Sequence, residues 1–408
     1  MFREILEEQK LEKNKLLESP IERLKLPIAL NKLNSDLIKV IIGPRRAGKS
    51  MFCHLLLRNQ NYAYVNFDDD KLFGLKDTDE LIKTLLEIYK NPDYIFFDEI
   101  QNLNNWELFI NKLHRRGYNL ILTGSNANLL SKELASSLTG RHLAFEILPL
   151  SFAEASPFCN LHDYMVQGGF PEVVLKGYDA KDYLSALVDS ILLKDVVRRY
   201  RVRFPQKLID LFTYLAANFA SPMSFTKLKN ILDFNSTHTV QNYLKYLNEA
   251  YLIFALNPYS NKIKEQINAP KKIYLVDNGF IEAKAFQVSK NRGRLIENLV
   301  FIELINRGFQ PNKDIFYYKT KKQQEVDFVL RQGIEIKELI QVSYDISDPD
   351  TYKRETKALL VAGEELKCKN LTLINMDRSD CSDKLIKLIK LEDWLLGSGS
   401  YPHNARFG

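Results

Sequence analysis

The sequence predicts an α/β protein in which a parallel-sheet domain precedes a helical middle domain and a second, smaller α/β domain. Two observations lead to this fold class. Five short apolar runs alternate with helical segments over residues 37–150, which is the pattern of buried parallel strands joined by helices. The chain has 408 residues, which is more than one ordinary core accommodates, so several domains are expected.

The composition is that of a globular protein with a modest positive charge. Hydrophobic residues make up 45% and charged residues 26%, and the formal net charge is +6. Such a charge fits either nucleic-acid contact or a solvated Lys-rich surface. The four cysteines form no CxxC pair, so neither a zinc site nor a disulfide framework is expected. The N-terminus lacks the apolar core of a signal peptide and no run is long enough to span a membrane, so the sequence predicts a cytoplasmic protein.

After an N-terminal helix and extension (residues 1–36), the first domain (residues 37–150) contains the five predicted strands. Each is a nearly continuous apolar run, as buried parallel strands are. The runs are LIKVII (Leu37–Ile42), YAYVNF (Tyr62–Phe67), YIFF (Tyr94–Phe97), NLILT (Asn119–Thr123) and LAFEIL (Leu143–Leu148).

The segment GPRRAGKS (residues 43–50) lies between the first strand and an amphipathic helix, and it matches the P-loop pattern GxxxxGK[ST]. Its glycines allow backbone N–H groups to surround phosphates, and the helix N-terminus favours negative charge. We expect Lys49 to neutralise the β- and γ-phosphates of ATP and Ser50 to bind Mg²⁺. The predicted nucleotide-binding residues are Gly43, Pro44, Arg45, Arg46, Ala47, Gly48, Lys49, Ser50 and Met51.

The third run, YIFFDEI (residues 94–100), ends in two carboxylates at the end of a buried strand. Unpaired carboxylates are costly to bury, so a functional reason for them is expected. Asp98 is predicted to hold the Mg²⁺ shell and Glu99 to polarise the attacking water. This pair favours an ATPase over a kinase or a GTPase.

Two further residues are candidates for the same site. The fourth strand ends in TGSNA, where Asn126, or Ser125 as second choice, is expected to contact the γ-phosphate or the water; an ordinary polar loop is the alternative. Arg141 precedes the last strand and could stabilise transition-state charge in its own chain or in a neighbouring one. A plain surface arginine is the alternative for this residue.

The middle domain (residues 151–285) is predicted to be helical and to contain a winged helix, a helix-turn-helix variant. Ser224 and either Ser236 or Thr237 are suitable N-caps for two amphipathic helices. The runs YLIFAL and KKIYLV are expected to pair after them. The exposed face of the second helix is predicted to carry Thr239, Gln241, Asn242, Lys245 and Asn248. Only Lys245 is basic, so both DNA contact and a packing role stay open.

The third domain (residues 286–396) is predicted to be a small α/β unit. Its helix GRLIENLVFIELINRG precedes strands at IFYY, VDFVL and IKELIQVSY, and another helix and a strand at LTLINM follow. The last residues, 397–408, have the composition of a flexible linker and are left out of the fold prediction.

The sequence resembles AAA-superfamily ATPases of archaea and bacteria that have a winged-helix middle region and a C-terminal domain of unknown function. The resemblance rests on an ordered set of segments between residues 38 and 345. They are GPRRAGKS, IFFDEIQ with NWE, LTGSNANLL, LTGRH with EILPLSFAEA, GGFPEVV, KIYLVDNGF, GRLIENLVFIEL and EVDFVL. It implies ATP hydrolysis with Mg²⁺, a functional role for Arg141, and a C-terminal domain similar to the restriction-endonuclease and Holliday-junction-resolvase fold.

That nuclease fold places a helix carboxylate, a strand carboxylate and an acid-x-Lys on the next strand around Mg²⁺. Glu297 and Asp327 fit the first two positions. Where the family pattern has the acid and the lysine, this chain has Gln341 and Ser343. The literal Glu335-x-Lys337 lies six residues earlier, about 20 Å along a strand.

The expected outcome is a nuclease-like domain that binds without cutting. The segment YKTKKQQ beside Asp327 supplies possible DNA contacts in Lys319, Lys321 and Lys322, or is a solvated loop.

The sequence therefore predicts a Mg²⁺-dependent ATPase whose C-terminal domains bind a partner, with branched or double-stranded DNA preferred. A homo-oligomer is expected, and a protein partner is possible. The first alternative is a nucleotide-gated protein-interaction switch without a nucleic-acid partner. The second is an ATP-coupled, metal-dependent nuclease, which Gln341 and Ser343 disfavour.

Overall fold

The computed structural model describes residues 2–16, 21–72, 74–75, 77–124, 140–285, 292–377 and 385–398. The chain divides into two compact units, Met1–Pro149 and Leu150–Gly408. The second unit thus contains both the predicted middle domain and the predicted C-terminal domain. No helix in the described ranges is long and apolar enough to cross a membrane.

The first unit is built on a five-stranded parallel sheet with the strand order β2-β3-β4-β1-β5, as expected for a P-loop domain. Every residue of β1 and β3 is buried, which explains their continuous apolar sequences. Its strands are β1 (Ile38–Ile42), β2 (Tyr62–Asn66), β3 (Tyr94–Asp98), β4 (Asn119–Gly124) and β5 (His142–Glu146). Its helices are α1 (Phe2–Leu16), α2 (Leu26–Asn31), α3 (Lys49–Leu56), α4 (Thr78–Tyr89) and α5 (Trp106–Arg115).

The N-terminal helix α1 covers the edge strand β2. The side-chain amide of Gln9 donates to the Asn66 carbonyl at 3.1 Å and accepts from the Asn66 amide at 3.0 Å. Gln9 therefore satisfies backbone groups of β2 that an edge strand otherwise leaves open. The predicted N-terminal extension is thereby part of the sheet domain.

The first part of the second unit is mostly helical. Its helices are α6 (Phe152–Ala155), α7 (Leu161–Gln167), α8 (Pro171–Lys176), α9 (Ala180–Ser190), α10 (Arg198–Tyr200), α11 (Pro205–Ala217), α12 (Phe225–Ile231), α13 (Thr237–Glu249), α14 (Ile263–Asn268) and α15 (Gly279–Lys284), with a π-helical stretch at Ile191–Val197. Strands β6 (Pro222–Met223), β7 (Ile253–Leu256) and β8 (Lys271–Leu275) form an antiparallel sheet with the order β6-β8-β7.

The helix pair and the strands after it match the predicted order. Ser224 caps α12 by accepting from the Lys227 amide, and Ser236 caps α13 by accepting from the Thr239 amide, both at 3.2 Å. β7 pairs with β8, with Ile253 opposite Leu275.

The rest of the second unit is a mixed five-stranded sheet with the order β13-β12-β11-β10-β9. β9, β10 and β11 are antiparallel neighbours, whereas β11, β12 and β13 are parallel. The strands are β9 (Ile315–Lys319), β10 (Glu325–Gln332), β11 (Glu335–Val342), β12 (Leu371–Asn375) and β13 (Ile386–Lys390), and the helices are α16 (Arg292–Asn306), α17 (Pro349–Leu366) and α18 (Leu391–Asp393), followed by a π-helical turn at Trp394–Ser398. β13 is not among the predicted strands.

Helix α16 contacts both parts of the second unit. All its residues from Leu295 to Ile305 are buried, so it is enclosed rather than laid on a surface. It contacts β8 on one side and β11 on another. The Asn298 side chain donates to the Leu275 carbonyl at 3.0 Å and accepts from the Leu275 amide at 2.9 Å, which joins α16 to the end of β8.

Candidate active site

The loop that follows β1 has a shape that two glycines make possible. Gly43 has φ +144°, and a Cβ there would fall 1.9 Å from the Ile147 carbonyl oxygen, so any other residue would collide with the chain after β5. Gly48 has φ 88° and is the N-cap of α3, which has no side-chain cap. The first turn of α3 therefore presents its backbone N–H groups toward the loop.

Lys49 begins α3 and its side chain is buried. The ammonium donates to the Pro44 carbonyl at 2.9 Å, which holds Nζ across the loop. Of the other loop residues, Pro44 and Ala47 are buried, whereas Arg45, Gly48, Ser50 and Met51 are half-buried and Arg46 is exposed with φ 65°. The structure thus places all the predicted nucleotide-binding residues in one loop and the first turn of α3.

Asp98 at the end of β3 is the centre of the site. Its Oδ1 accepts from the Ser50 hydroxyl at 2.9 Å and from the Thr123 hydroxyl at the end of β4, while Oδ2 accepts from the Tyr64 hydroxyl at 3.3 Å. β4 lies between β1 and β3, so Thr123 stands between the loop and the carboxylates. Burial, and then the neighbouring Glu99 carboxylate, raise the pKa of Asp98 to about 6.

Glu99 is held in a left-handed conformation, with φ 50°. Its amide donates to the Thr123 hydroxyl at 3.0 Å, and one carboxylate oxygen accepts from the side-chain amide of Gln101. A positive φ is uncommon for a residue that is not glycine, and such strain often lies at functional sites. Thr123 and Gln101 were missed by the sequence analysis, although both flank predicted residues.

Arg23 is a further contributor that was not predicted from the sequence. Its buried guanidinium donates to the Ala47 carbonyl at 3.0 Å and to the Leu148 carbonyl at 2.6 Å, and so ties the loop to the chain after β5. Lys25 donates to the Glu146 carbonyl at 2.7 Å. Neither residue belongs to a recognisable motif, so no sequence signal points to this role.

The structure does not bring Arg141 to the loop of its own chain. Its carbonyl accepts from the Ile38 amide at 2.9 Å, at the start of β1, whereas the loop follows the end of that strand. The five residues of β1, about 16 Å, separate the end of the sheet where Arg141 lies from the end where the loop lies. The backbone of Arg141 thus lies at the opposite end of the strands from the loop, and a role of its side chain, in its own chain or in a neighbouring one, stays a prediction. Ser125 and Asn126 lie outside the described residues.

In the second unit, Glu297 of α16 and Asp327 of β10 do lie together, but a lysine stands between them. Lys272 of β8 donates from Nζ to Glu297 Oε1 at 2.8 Å and to Asp327 Oδ1 at 2.9 Å. Burial alone would lower the pKa of Lys272, but the Asp327 and Glu297 carboxylates raise it well above its ordinary value. In the described ranges, no group of three or more His, Cys, Asp or Glu side chains is arranged to hold a metal ion.

The remaining nuclease-like residues are bound to protein groups. The Gln341 amide oxygen accepts from the Asp327 amide at 3.2 Å, and its nitrogen donates to Glu355 at 2.8 Å. Glu335 is exposed and pairs with Gln332 at the far end of the hairpin, with Lys337 as its ion-pair partner. The Glu-x-Lys pair is thus remote from Asp327, as its spacing indicates.

The four lysines predicted as possible DNA contacts are all exposed. Lys245 pairs with Glu249 at 3.8 Å and Lys319 pairs with Glu325 at 3.8 Å, so part of their charge is already balanced. Lys321 and Lys322 lie in the turn between β9 and β10.

A more basic surface lies just before α11. We call it the arginine segment: Arg198, Arg199, Arg201 and Arg203. All four side chains are exposed, and none forms an ion pair with any residue that the structure describes. Tyr200 within the segment stacks on Tyr246 of α13, with ring centroids 3.9 Å apart. The segment therefore lies beside the second helix of the pair, and its run RRYRVR is a sequence signal for a basic surface that was not part of the prediction.

Three family models match successive parts of the chain. A model of an AAA domain matches residues 35–156, and two models of domains of unknown function, DUF8612 and DUF4143, match residues 159–290 and 292–394. The three matches follow the order of the three predicted domains. The chain therefore contains an AAA domain, and the matches to its other parts assign them no function.

Two curated proteins are similar over most of their length. An uncharacterized protein of Methanocaldococcus jannaschii is 39% identical over 371 residues, which are 84% of this chain and 82% of that protein. An uncharacterized protein of Haemophilus influenzae is 32% identical over 392 residues, 89% of this chain and 95% of that protein. Among solved structures, a Walker-type ATPase of Pyrococcus abyssi matches 66% of this chain and 99% of its own, with 15% identity and a TM-score of 0.45.

Proposed function

Because the chain belongs to the family of these uncharacterized Methanocaldococcus and Haemophilus proteins and contains an AAA domain, we propose that it is a Mg²⁺-dependent ATPase. One observation carries the proposal. The hydroxyls of Ser50 and Thr123 both donate to Asp98, beside the Lys49 ammonium and the Glu99 carboxylate. Hydroxyl and carboxylate oxygens are the ligands that Mg²⁺ prefers, so these residues fit an ATP-bound Mg²⁺.

Each residue has a distinct task in this proposal. Lys49 leaves the Pro44 carbonyl and binds the β- and γ-phosphates, while the amides of the first turn of α3 surround them. Ser50 and Asp98 would hold Mg²⁺, which when bound would supply positive charge to the phosphates. Glu99 orients the attacking water and accepts hydrogen bonding from it. Thr123 fixes the positions of the Asp98 carboxylate and the Glu99 amide, because its hydroxyl forms a hydrogen bond with each of them.

The test is ATP binding and hydrolysis by two variants. Lys49→Ala should weaken nucleotide binding, because the phosphates lose their charge partner. Glu99→Gln should bind ATP like the wild type and hydrolyse it at least about 100-fold more slowly, because general-base and orienting groups contribute that much. Binding is measured with a fluorescent nucleotide and hydrolysis by phosphate release.

The matched control is Glu107→Gln, a carboxylate at the start of α5 outside the site. Normal turnover by Glu99→Gln would remove Glu99 from the mechanism. Arg141 is tested in the same assay by mixing Arg141→Ala with Lys49→Ala. If Arg141 completes a neighbour's site in a homo-oligomer, the mixture regains part of the activity that each variant lacks alone.

We propose further that the second unit binds DNA, branched or double-stranded, without cutting it. In this view α12, α13 and the β6-β8-β7 sheet are a winged helix, and the β9–β13 sheet with α16 is a nuclease-like domain. The observation that supports DNA as partner is the arginine segment, because exposed arginines that form no ion pair with the described residues suit phosphate groups. Its position beside α13 supplies the positive charge that this helix lacks.

Salt-dependent DNA binding separates this proposal from a protein-interaction switch. Arg199→Gln with Arg201→Gln should lower the slope of log affinity against log salt by about 2, since each phosphate contact contributes about 0.9. The double variant Lys321→Gln with Lys322→Gln removes the same number of charges and tests the lysines of the turn between β9 and β10 in the same way. If wild-type binding is absent or insensitive to salt, the partner is not DNA and the switch becomes the preferred function.

A further inference from the structure

One lysine ammonium in the second unit is surrounded by three carboxylates. Nζ of Lys272 lies 2.8 Å from Glu297 Oε1, 2.9 Å from Asp327 Oδ1 and 2.8 Å from Glu325 Oε1. The Lys272 side chain is 1% exposed, so its charge is balanced by these residues rather than by solvent. The hydroxyl of Tyr274, two residues along β8, also donates to Glu297 Oε1, at 2.7 Å.

The carboxylates come from elements other than the one that carries the lysine. Lys272 belongs to β8, Glu297 to α16, and Asp327 and Glu325 to β10. The lysine lies in the part of the chain matched by one family model, and its three partners lie in the part matched by the next. The contact therefore joins two segments that sequence comparison treats separately.

These residues do not fit a bound divalent metal while Lys272 is in place. A metal held by Glu297 and Asp327 would need the oxygens that the ammonium already binds, at the distances of ordinary charge-assisted hydrogen bonds. Gln341, which stands where the nuclease pattern has its third ligand, uses both ends of its amide for Asp327 and Glu355. The two carboxylates that the nuclease pattern assigns to a metal, Glu297 and Asp327, thus bind a protein cation instead.

We propose that Lys272 is the built-in cation of this site, replacing a divalent metal and fastening β8 to α16 and β10. The side chain does for the carboxylates what a metal would do, because it neutralises them and holds them together. It cannot polarise a water or a phosphate as a metal does, because an ammonium has no open coordination position. The site consequently joins two parts of the unit instead of cutting a substrate.

Removing the ammonium should convert the site into one that takes an added metal. Lys272→Met keeps an unbranched side chain that is one heavy atom shorter, and it leaves Glu297 and Asp327 without their cation, while Glu325 keeps Lys319. That variant should be less stable than the wild type, because breaking a buried ion cluster leaves unpaired charge. Added Ca²⁺ should restore its thermal stability by about 5 °C or more, since ligands that bind only the folded state raise its Tm.

The experiment uses the full chain without nucleotide, with Tb³⁺ luminescence as a direct probe and Ca²⁺-dependent Tm as a second readout. Tyr274 is bonded to Glu297, so it can sensitise Tb³⁺ bound there. The wild type and Lys272→Met are each compared with the same protein carrying Asp327→Asn as well. Tb³⁺ emission from Asp98 and other carboxylates is present in both members of each comparison and is therefore subtracted. Lys272→Met should show strong emission that Asp327→Asn abolishes, and the wild type should show none that depends on Asp327.

Asp327-dependent Tb³⁺ emission from the wild type would overturn the proposal, because the site would then accept a metal despite Lys272. A folded Lys272→Met variant that gives no such emission and no Ca²⁺ effect would also overturn it. The wild-type comparison remains decisive if Lys272→Met does not fold. None of these outcomes depends on ATP hydrolysis, so the proposed ATPase activity stands or falls separately.

Discussion

His54 is a buried histidine on α3, five residues after the lysine of the phosphate-binding loop. Its Nδ1 lies 3.0 Å from the Tyr62 hydroxyl, and its ring contacts Tyr64 and Phe96 edge to face. Nε2 has no hydrogen-bond partner among the residues described. Burial, and then the charge of Lys13, lower the pKa of His54 to about 4. The histidine is therefore neutral in the folded protein at neutral pH.

This residue makes the stability of the first unit depend on pH. The unfolded chain takes up a proton near pH 6.5 and the folded chain only near pH 4, so stability is complete above pH 6.5 and falls as the pH drops toward 4. Between pH 7 and pH 5 the part of the change that His54 contributes should be a loss of about 2 kcal/mol, whereas the raised pKa of Asp98 acts in the opposite direction in the wild type and the variant alike. His54→Phe should lack this loss.

The measurement is urea unfolding at several pH values, followed by the fluorescence of Trp106 in a Trp394→Phe background. This choice is possible because the chain has two tryptophans, one in each unit. His162→Gln is the control, since His162 is exposed. Parallel pH curves for the wild type and His54→Phe would show that the histidine has no such role.

At the scale of elements, the segment KIYLVDNGF acts as the junction of the second unit. Lys272 and Tyr274 bind Glu297 of α16. Asp277 then accepts from the Gly169 amide and from the Gly279 amide, both at 2.8 Å. From the sequence, its first part is predicted as a strand, and the whole segment is otherwise noted only as part of a family resemblance. Its contacts explain why polar residues follow one another at the end of a buried strand.

The glycines of GGFPEVV make room for this junction. A Cβ at Gly168 would fall 1.7 Å from Asp277 Oδ1, and one at Gly169 would fall 2.1 Å from the Leu150 carbonyl oxygen. Gly169→Ala should therefore lower the free energy of unfolding of the second unit by about 2 kcal/mol or more, because the backbone has to move.

Gly293→Ala is the matched control for this substitution. Gly293 lies in α16 and a Cβ there would meet nothing within 4 Å, so alanine should be neutral or slightly stabilising. Unfolding is followed by Trp394 in a Trp106→Phe background. Equal stabilities of the two alanine variants would mean that the region around Leu150 adapts without cost.

At the scale of the whole molecule, the sequence predicts the features that depend on local order. The strands of the first unit appear within a few residues of their apolar runs, and the loop from Gly43 to Ser50 lies where its motif indicates. Strand β13 was not predicted because IKLIK has only five residues and its two lysines are three residues apart, so it lacks the strict alternation of a half-buried strand.

Contacts between distant segments could not be predicted. Arg23 binds a carbonyl 125 residues away, and Lys272 binds carboxylates 25 and 55 residues away. Nothing in the local sequence of either residue distinguishes it from a surface cation. The domain organisation also depends on contacts between distant segments. The predicted middle and C-terminal domains form one compact unit, in which α16 is buried.

The ion cluster at Lys272 also has a thermal consequence. Charged groups lose part of their favourable hydration as the temperature rises, so the cost of burying the ammonium and its carboxylates falls on heating while their attraction persists. Apolar contacts between α16 and the strands weaken instead when the protein is cooled. The contribution of the ion cluster to the stability of the junction between β8 and the C-terminal sheet should thus be largest in warm solution and smallest near the freezing point.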